Sequence, residues 1–240
     1  MRLLAYLLLT VTVLSACGIN PTTGNKSERP YLRATPEANL SYVSIVGDAY
    51  TSGSSAGGKG PQGWPLLVKA SLQKQGVLIE PIVGAKEGSG YGKHGAAGNT
   101  RFIDQVRRVV GKNNKLVVLF GSSKDQTTSV DNLTSAIQRT VAKVRQAAPK
   151  ARILMIGPAW VRPDPSAELL RARDVTRAQA EVAGADFVDP LADKWFADRP
   201  HLIGTSGQYP NDAGHVLMAE KLAPVIAEQL TKLPPDSRHR

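Results

Sequence analysis

Five short apolar runs alternate along this chain with segments whose apolar residues recur every three or four positions. The runs are residues 42–46, 77–83, 116–120, 153–156 and 187–188. Each is followed by turn residues, the pattern of strands buried on both faces of a parallel sheet. Between them Phe102, Val106 and Val109 repeat at helical spacing, as do Val130, Leu133, Ile137, Val141 and Val144. A last helix places Met218, Leu222, Ile226 and Leu230 on one stripe. Pro224 lies inside it and removes one backbone donor, which predicts a kink. Five strands with intervening helices predict a three-layer, doubly wound α/β domain of flavodoxin type, with a five-stranded parallel sheet. In such sheets ligands bind outside the carboxyl ends of the strands. Gly47, the segment 84–90 and Gly121 fall just past those ends, so the turn motifs converge on one rim.

The two termini do not share this alternation. Met1-Arg2 is a short positive region, and residues 3–14 form an apolar stretch of signal-peptide length. Leu14-Ser15-Ala16-Cys17 follows, and it resembles a bacterial lipobox, whose cysteine becomes the lipidated first residue of the mature protein. Cys17 is the only cysteine, so no disulfide is available and packing alone must stabilise the domain. These residues predict an exported protein, lipid-anchored at the outer face of the cell membrane. Residues 18–40 are polar, with Pro, Thr, Asn and Gly, and read as a flexible tether. The domain is expected over 41–232, with a polar, disordered tail over 233–240.

Length and charge narrow the partners. The 240 residues suit one sizeable domain, and 42% are hydrophobic. Beyond the N-terminus no apolar run is long enough to span a bilayer. The net charge of +10 favours anionic neighbours such as headgroups or acidic envelope polymers. The basic residues are scattered along the sequence and aromatics are 5%, which argues against nucleic acid. The histidines and carboxylates show no metal-ligand spacing. The glycines of 84–95 lack the Lys-Ser/Thr of a phosphate loop, so neither a metal nor a nucleotide cofactor is expected.

Four blocks carry the chemistry. The first is Gly47-Asp48-Ala49-Tyr50-Thr51-Ser52-Gly53, and the second is Glu87-Gly88-Ser89-Gly90-Tyr91-Gly92. The third is Phe120-Gly121-Ser122-Ser123-Lys124-Asp125. The fourth is Leu202-Ile203-Gly204-Thr205-Ser206-Gly207-Gln208-Tyr209-Pro210-Asn211-Asp212-Ala213-Gly214-His215. Together they resemble the SGNH/GDSL hydrolases, in the secreted form found in actinobacteria. The resemblance covers roughly residues 41–232. It implies a serine nucleophile, a histidine base, an aspartate that orients the base, and an oxyanion hole of serine and glycine amides with an asparagine.

Position by position, those functional side chains are absent. Ala49 stands at the nucleophile, Lys124 at the asparagine, Ser206 at the aspartate and Tyr209 at the histidine. Gly90 best fits the oxyanion glycine, with Gly88 as fallback. Asp48, Pro210 and the turn glycines persist, and those are residues the backbone shape needs. Ala49 has no oxygen, and a phenol with a pKa near 10 is a poor proton acceptor at neutral pH. Loss of a triad leaves only about 10³–10⁴-fold acceleration over water. Loss of the asparagine donor removes a further ~10²–10³.

The resemblance therefore implies a catalytically inactive pseudohydrolase that binds an anionic or acylated envelope ligand, or a protein partner. Its ligand-binding residues would be Asp48, Ala49, Gly90, Lys124 and Tyr209, with two amides and an ammonium forming an anion pocket. Lys124 has a plainer alternative, pairing with Asp125 or Asp48 or pointing into solvent. The rival function is an active ester hydrolase or acyltransferase with a non-standard constellation. Ser52, Ser54 and Ser55 lie in a solvated loop with no histidine tied to them by spacing. His94 and His201 match no role, and His215 reads as a helix-start residue. Trp64, Trp160 and Trp195 read as core or rim packing.

Overall fold

The computed structural model describes residues 39–95 and 99–232. Cys17, the expected signal peptide, most of the expected tether and the C-terminal tail lie outside the described residues. Five strands form one sheet: β1 (Ser41–Gly47), β2 (Ile79–Ala85), β3 (Asn114–Phe120), β4 (Arg152–Ile156) and β5 (Asp186–Val188). All pairings are parallel, in the order β2-β1-β3-β4-β5. The central strands are almost wholly buried, as their unbroken apolar runs require.

Among the described residues six α-helices accompany the sheet: α1 (Ala49–Ser52), α2 (Trp64–Lys74), α3 (Phe102–Val109), α4 (Val130–Ala147), α5 (Ala167–Val182) and α6 (Asp212–Thr231). Residues of α2 and α6 cover one face, burying Trp64, Val68, Leu72, Met218, Leu222 and Ile226 against Val43, Ile45, Leu116 and Val118. Residues of α3, α4 and α5 cover the other, over Val46, Val117, Leu119, Ile153 and Met155. Alternate residues of each strand feed the two cores, because strand side chains alternate in direction. The fold is therefore the expected three-layer α/β sandwich.

The expected strand over 77–83 is displaced to Ile79–Ala85. Val77 serves the end of α2: Gly76 has φ +79°, and the Val77 amide donates to the Leu72 carbonyl at 3.0 Å. Gly84 consequently lies inside β2 rather than beyond it. A Cβ there would lie 3.0 Å from both γ-carbons of Val109, so glycine lets α3 approach the sheet. α6 is continuous through Pro224, which sits on its exposed face. Water can therefore satisfy the carbonyl that the proline leaves without a donor.

The sheet order sets the site's position. The chain moves from β1 outward to β2, then returns to β3 on the other side of β1. The carboxyl ends of β1 and β3 thus flank a topological switch point, where doubly wound sheets open a crevice.

Candidate functional site

The turn after β1 is built around Asp48. Gly47 must be glycine, since a Cβ there would lie 2.2 Å from Thr51 Oγ1. Asp48 caps α1, and its Oδ1 accepts from the Tyr50 amide at 2.9 Å. Its Oδ2 accepts from the Ser122 hydroxyl at 2.5 Å, linking the β1 turn to the β3 turn. Burial pushes the Asp48 carboxyl up to about 6, against the opposing bonds from Ser122 and Tyr50. Ala49 is 1% exposed, at the first position of α1. Its N–H therefore has no acceptor within the helix.

Asp125 braces the second loop. Its carboxylate accepts the amides of Tyr91 at 2.8 Å and Gly92 at 2.9 Å. Burial raises its pKa to about 6, although three backbone bonds pull the other way. Gly90 packs directly on this carboxylate, where a Cβ would lie 2.5 Å from both oxygens. The Gly90 amide donates to the Lys93 carbonyl at 2.9 Å, so it is not available to an oxyanion. The expectation for Gly90 is thereby corrected. Gly88, with φ +77°, is the glycine that lines the cleft.

The cleft is small. About 30 Å³ is enclosed by Asp48, Tyr50, Gly88, Lys124, Arg162 and Tyr209, together with neighbouring residues. Ligand pockets in general run to ~300–1,000 Å³, so this space holds a group of one or two heavy atoms and not a whole substrate. Tyr209 accounts for part of the closure. Its hydroxyl donates to Glu87 Oε1 at 2.9 Å, and its ring meets Tyr50 edge-on at 6.1 Å. Partial burial and the Glu87 carboxylate raise the Tyr209 phenol to about 12, so it stays neutral and acts as a donor.

Lys124 is exposed at the cleft and lies within 4.0 Å of no carboxylate among the described residues. Of the plainer alternatives, pairing with Asp125 or Asp48 is not formed, and the exposed side chain agrees with the one in which it points into solvent. Ser206 is exposed and outside the lining, and its hydroxyl accepts only the Gln208 amide at 3.4 Å. Trp160, read from the sequence as core or rim packing, stands on the rim, and sequence reasoning missed Arg162 beside it; both follow β4 and form a wall of the cleft with a cation–π contact of 5.1 Å. The signal was present: both lie just past the carboxyl end of a strand.

No imidazole among the described residues shares a hydrogen bond with a hydroxyl. Among the described residues the one histidine side chain with a bonded partner is His215, whose Nδ1 accepts from the Trp64 amide at 3.4 Å. His215 is fully buried at the start of α6, and burial lowers its pKa to about 4. Among the described residues no group of three metal-ligating side chains occurs.

The β1 turn, the β3 turn and the 203–210 loop thus meet at the switch point in the order the motifs require. A family model of the GDSL-like lipase/acylhydrolase family matches residues 45–217. The chain belongs to that family. A GDSL lipase of Mycobacterium tuberculosis is 42% identical over 205 residues, which cover 84% of this chain and 88% of that protein. Among solved structures, a lipase/acylhydrolase from Enterococcus faecalis superposes with TM-score 0.62 at 14% identity, over 82% of this chain and 99% of that one. A carbohydrate acetylesterase family member from Sinorhizobium meliloti gives 0.60 at 16% identity, over 80% and 99%. At such identities these two likenesses speak for the fold alone.

Proposed function

We propose that this GDSL-family protein is an exported, lipid-anchored envelope protein that has lost ester hydrolysis and uses its cleft to bind. The carrying observation is Ala49 at the nucleophile position, with no hydroxyl–imidazole pair replacing it among the described residues. The three other family positions, Lys124, Ser206 and Tyr209, point the same way. Tyr209 cannot serve as a base while partial burial and Glu87 hold its phenol neutral. The ligand is an anionic or acylated envelope component, or a protein partner presenting such a group. Lys124 and Arg162 would face its charge, with the Ala49 amide below. Only the ligand's terminal group would enter, given the size of the cleft.

The likeness to a protein named as a lipase favours the rival, an ester hydrolase with another constellation. A fluorophosphonate probe and p-nitrophenyl acetate separate the two. The expected result is no labelling and no turnover above a buffer blank. Labelling of any serine, abolished by mutating that serine, would establish the enzyme instead. The combined variant Ala49→Ser, Lys124→Asn, Ser206→Asp and Tyr209→His should regain measurable turnover, while Ala49→Ser alone should not. Titration of Lys124→Ala with acetate, phosphate and sulfate tests the pocket, and affinity equal to the parent's would remove Lys124 from it.

A further inference from the structure

The basic residues are dispersed in sequence, but the fold gathers many of them on one face. In a parallel sheet every strand starts at the same rim, and the helices that lead into those strands end there. This rim, opposite the cleft, is formed by three adjacent connections: 74–79 into β2, 107–115 into β3 and 143–152 into β4. They hold nine Lys and Arg and not one Asp or Glu. Lys74, Arg108, Lys112, Arg145 and Lys150 are exposed and Lys115 half-exposed, and none of these six lies within an ion pair among the described residues. The fourth connection, 181–186, carries Glu181 and Asp186, so the positive field is polarised toward β2, β1 and β3.

Two further features lie on this rim. α3 has only eight residues and stops short of the start of β1, leaving Tyr42 39% exposed. Beneath it opens a concavity of about 370 Å³, lined by Tyr42, Ile82, Arg108, Val109, Lys112 and Asn114. An aromatic ring, aliphatic walls and two cations side by side match the boundary between acyl chains and headgroups. The described chain also enters here, since Asn39 and Leu40 lead directly into β1.

We infer that this rim is a docking face for an anionic lipid bilayer, with Arg108 and Lys112 seating headgroup phosphates beside Tyr42. Each cation near such a surface adds to the attraction, which decays within a Debye length. The cleft lies at the other end of strands up to seven residues long, about 20 Å away, and so faces the envelope rather than the bilayer. Nucleic acid would meet the same charges. The membrane is favoured because the entry of the chain and the exposed Tyr42 coincide with them.

The test uses full-length chain carrying Cys17→Ala throughout, so that lipidation plays no part and failure leaves the anchor reading untouched. Binding is measured by sedimentation with phosphatidylcholine vesicles, with and without phosphatidylglycerol. The parent should partition at least roughly tenfold better onto the anionic vesicles, and 0.5 M salt should erase that preference. Combined Arg108→Gln, Lys112→Gln, Lys115→Gln and Lys150→Gln should lose most of it. The same charge removed from the cleft rim, by Lys59→Gln, Lys86→Gln, Lys194→Gln and Arg199→Gln, should not. No anionic preference in the parent, or equal losses in the two variants, would overturn the inference. So would capture by duplex DNA at least as tight as by the vesicles. Absence of the preference in the parent overturns the inference even where a variant fails to fold.

Discussion

At the scale of single residues, Asp48 performs a structural task. It caps α1 and ties the β1 turn to Ser122. Its carboxyl is held at about 6, above the ordinary carboxylate range, so the folded state binds this proton more tightly than the unfolded chain does. The stabilising contribution is complete below about pH 4 and disappears as pH rises through 6. Asp125 acts in the same direction, and His215 in the opposite one, its contribution being lost as pH falls toward 4. Asp48→Asn keeps a capping side chain and leaves the other two groups in place. Melting curves should therefore favour the variant over the parent increasingly from pH 4 to pH 7, by on the order of 2 kcal/mol. A constant difference would show that Asp48 does not titrate in this window. Motif spacing alone singled out Ala49, Lys124, Ser206 and Tyr209. The Tyr209–Glu87 bond and the burial of the Gly90 amide were not legible, because both depend on how loops distant in sequence come together.

At the scale of elements, strands with continuous apolar runs could be read directly, whereas α2, α5 and the true limits of β2 could not. α2 and α5 are weakly patterned, since Ala, Lys and Gln occupy positions that a clearer stripe would give to Leu or Ile. β2 was displaced by two apolar residues that belong to the end of a helix. The loop over 53–63 is fixed by contact with α6. The Gly58 amide donates to Asp212 Oδ1 at 2.7 Å, and its Cα rests on the His215 imidazole. A Cβ at Gly58, where φ is +74°, would lie 2.0 Å from His215 Nε2. Gly58→Ala should destabilise the domain by on the order of 3 kcal/mol, part from backbone strain and part from overpacking. In a His215→Ala background the same change should cost about 1 kcal/mol, the strain alone. Denaturant titration of the four proteins measures this, and equal costs in both backgrounds would mean that the loop does not rest on the ring.

At the scale of the whole molecule, the two ends of one sheet have diverged in character. The carboxyl ends of the strands carry the family's loops around a nearly filled cleft. The amino ends carry a run of cations that no local motif announces, because the segments concerned are far apart in sequence and only the parallel topology assembles them. The architecture itself was legible from alternation, since every strand is apolar enough to require cover on both faces. Which surface residues would become neighbours was not.

The arrangement of the three indoles gives the molecule an internal reporter. Trp64 and Trp195 are sealed around Phe120, with ring centres 6.1 and 6.4 Å from it. Trp160 alone is partly open to solvent, on the wall of the cleft beneath Arg162. Iodide should quench the emission of that indole and leave the other two as a constant background. An occupant of the cleft should then shield Trp160 in proportion to its saturation. An unchanged quenching curve at saturating ligand would locate the binding somewhere else on the surface.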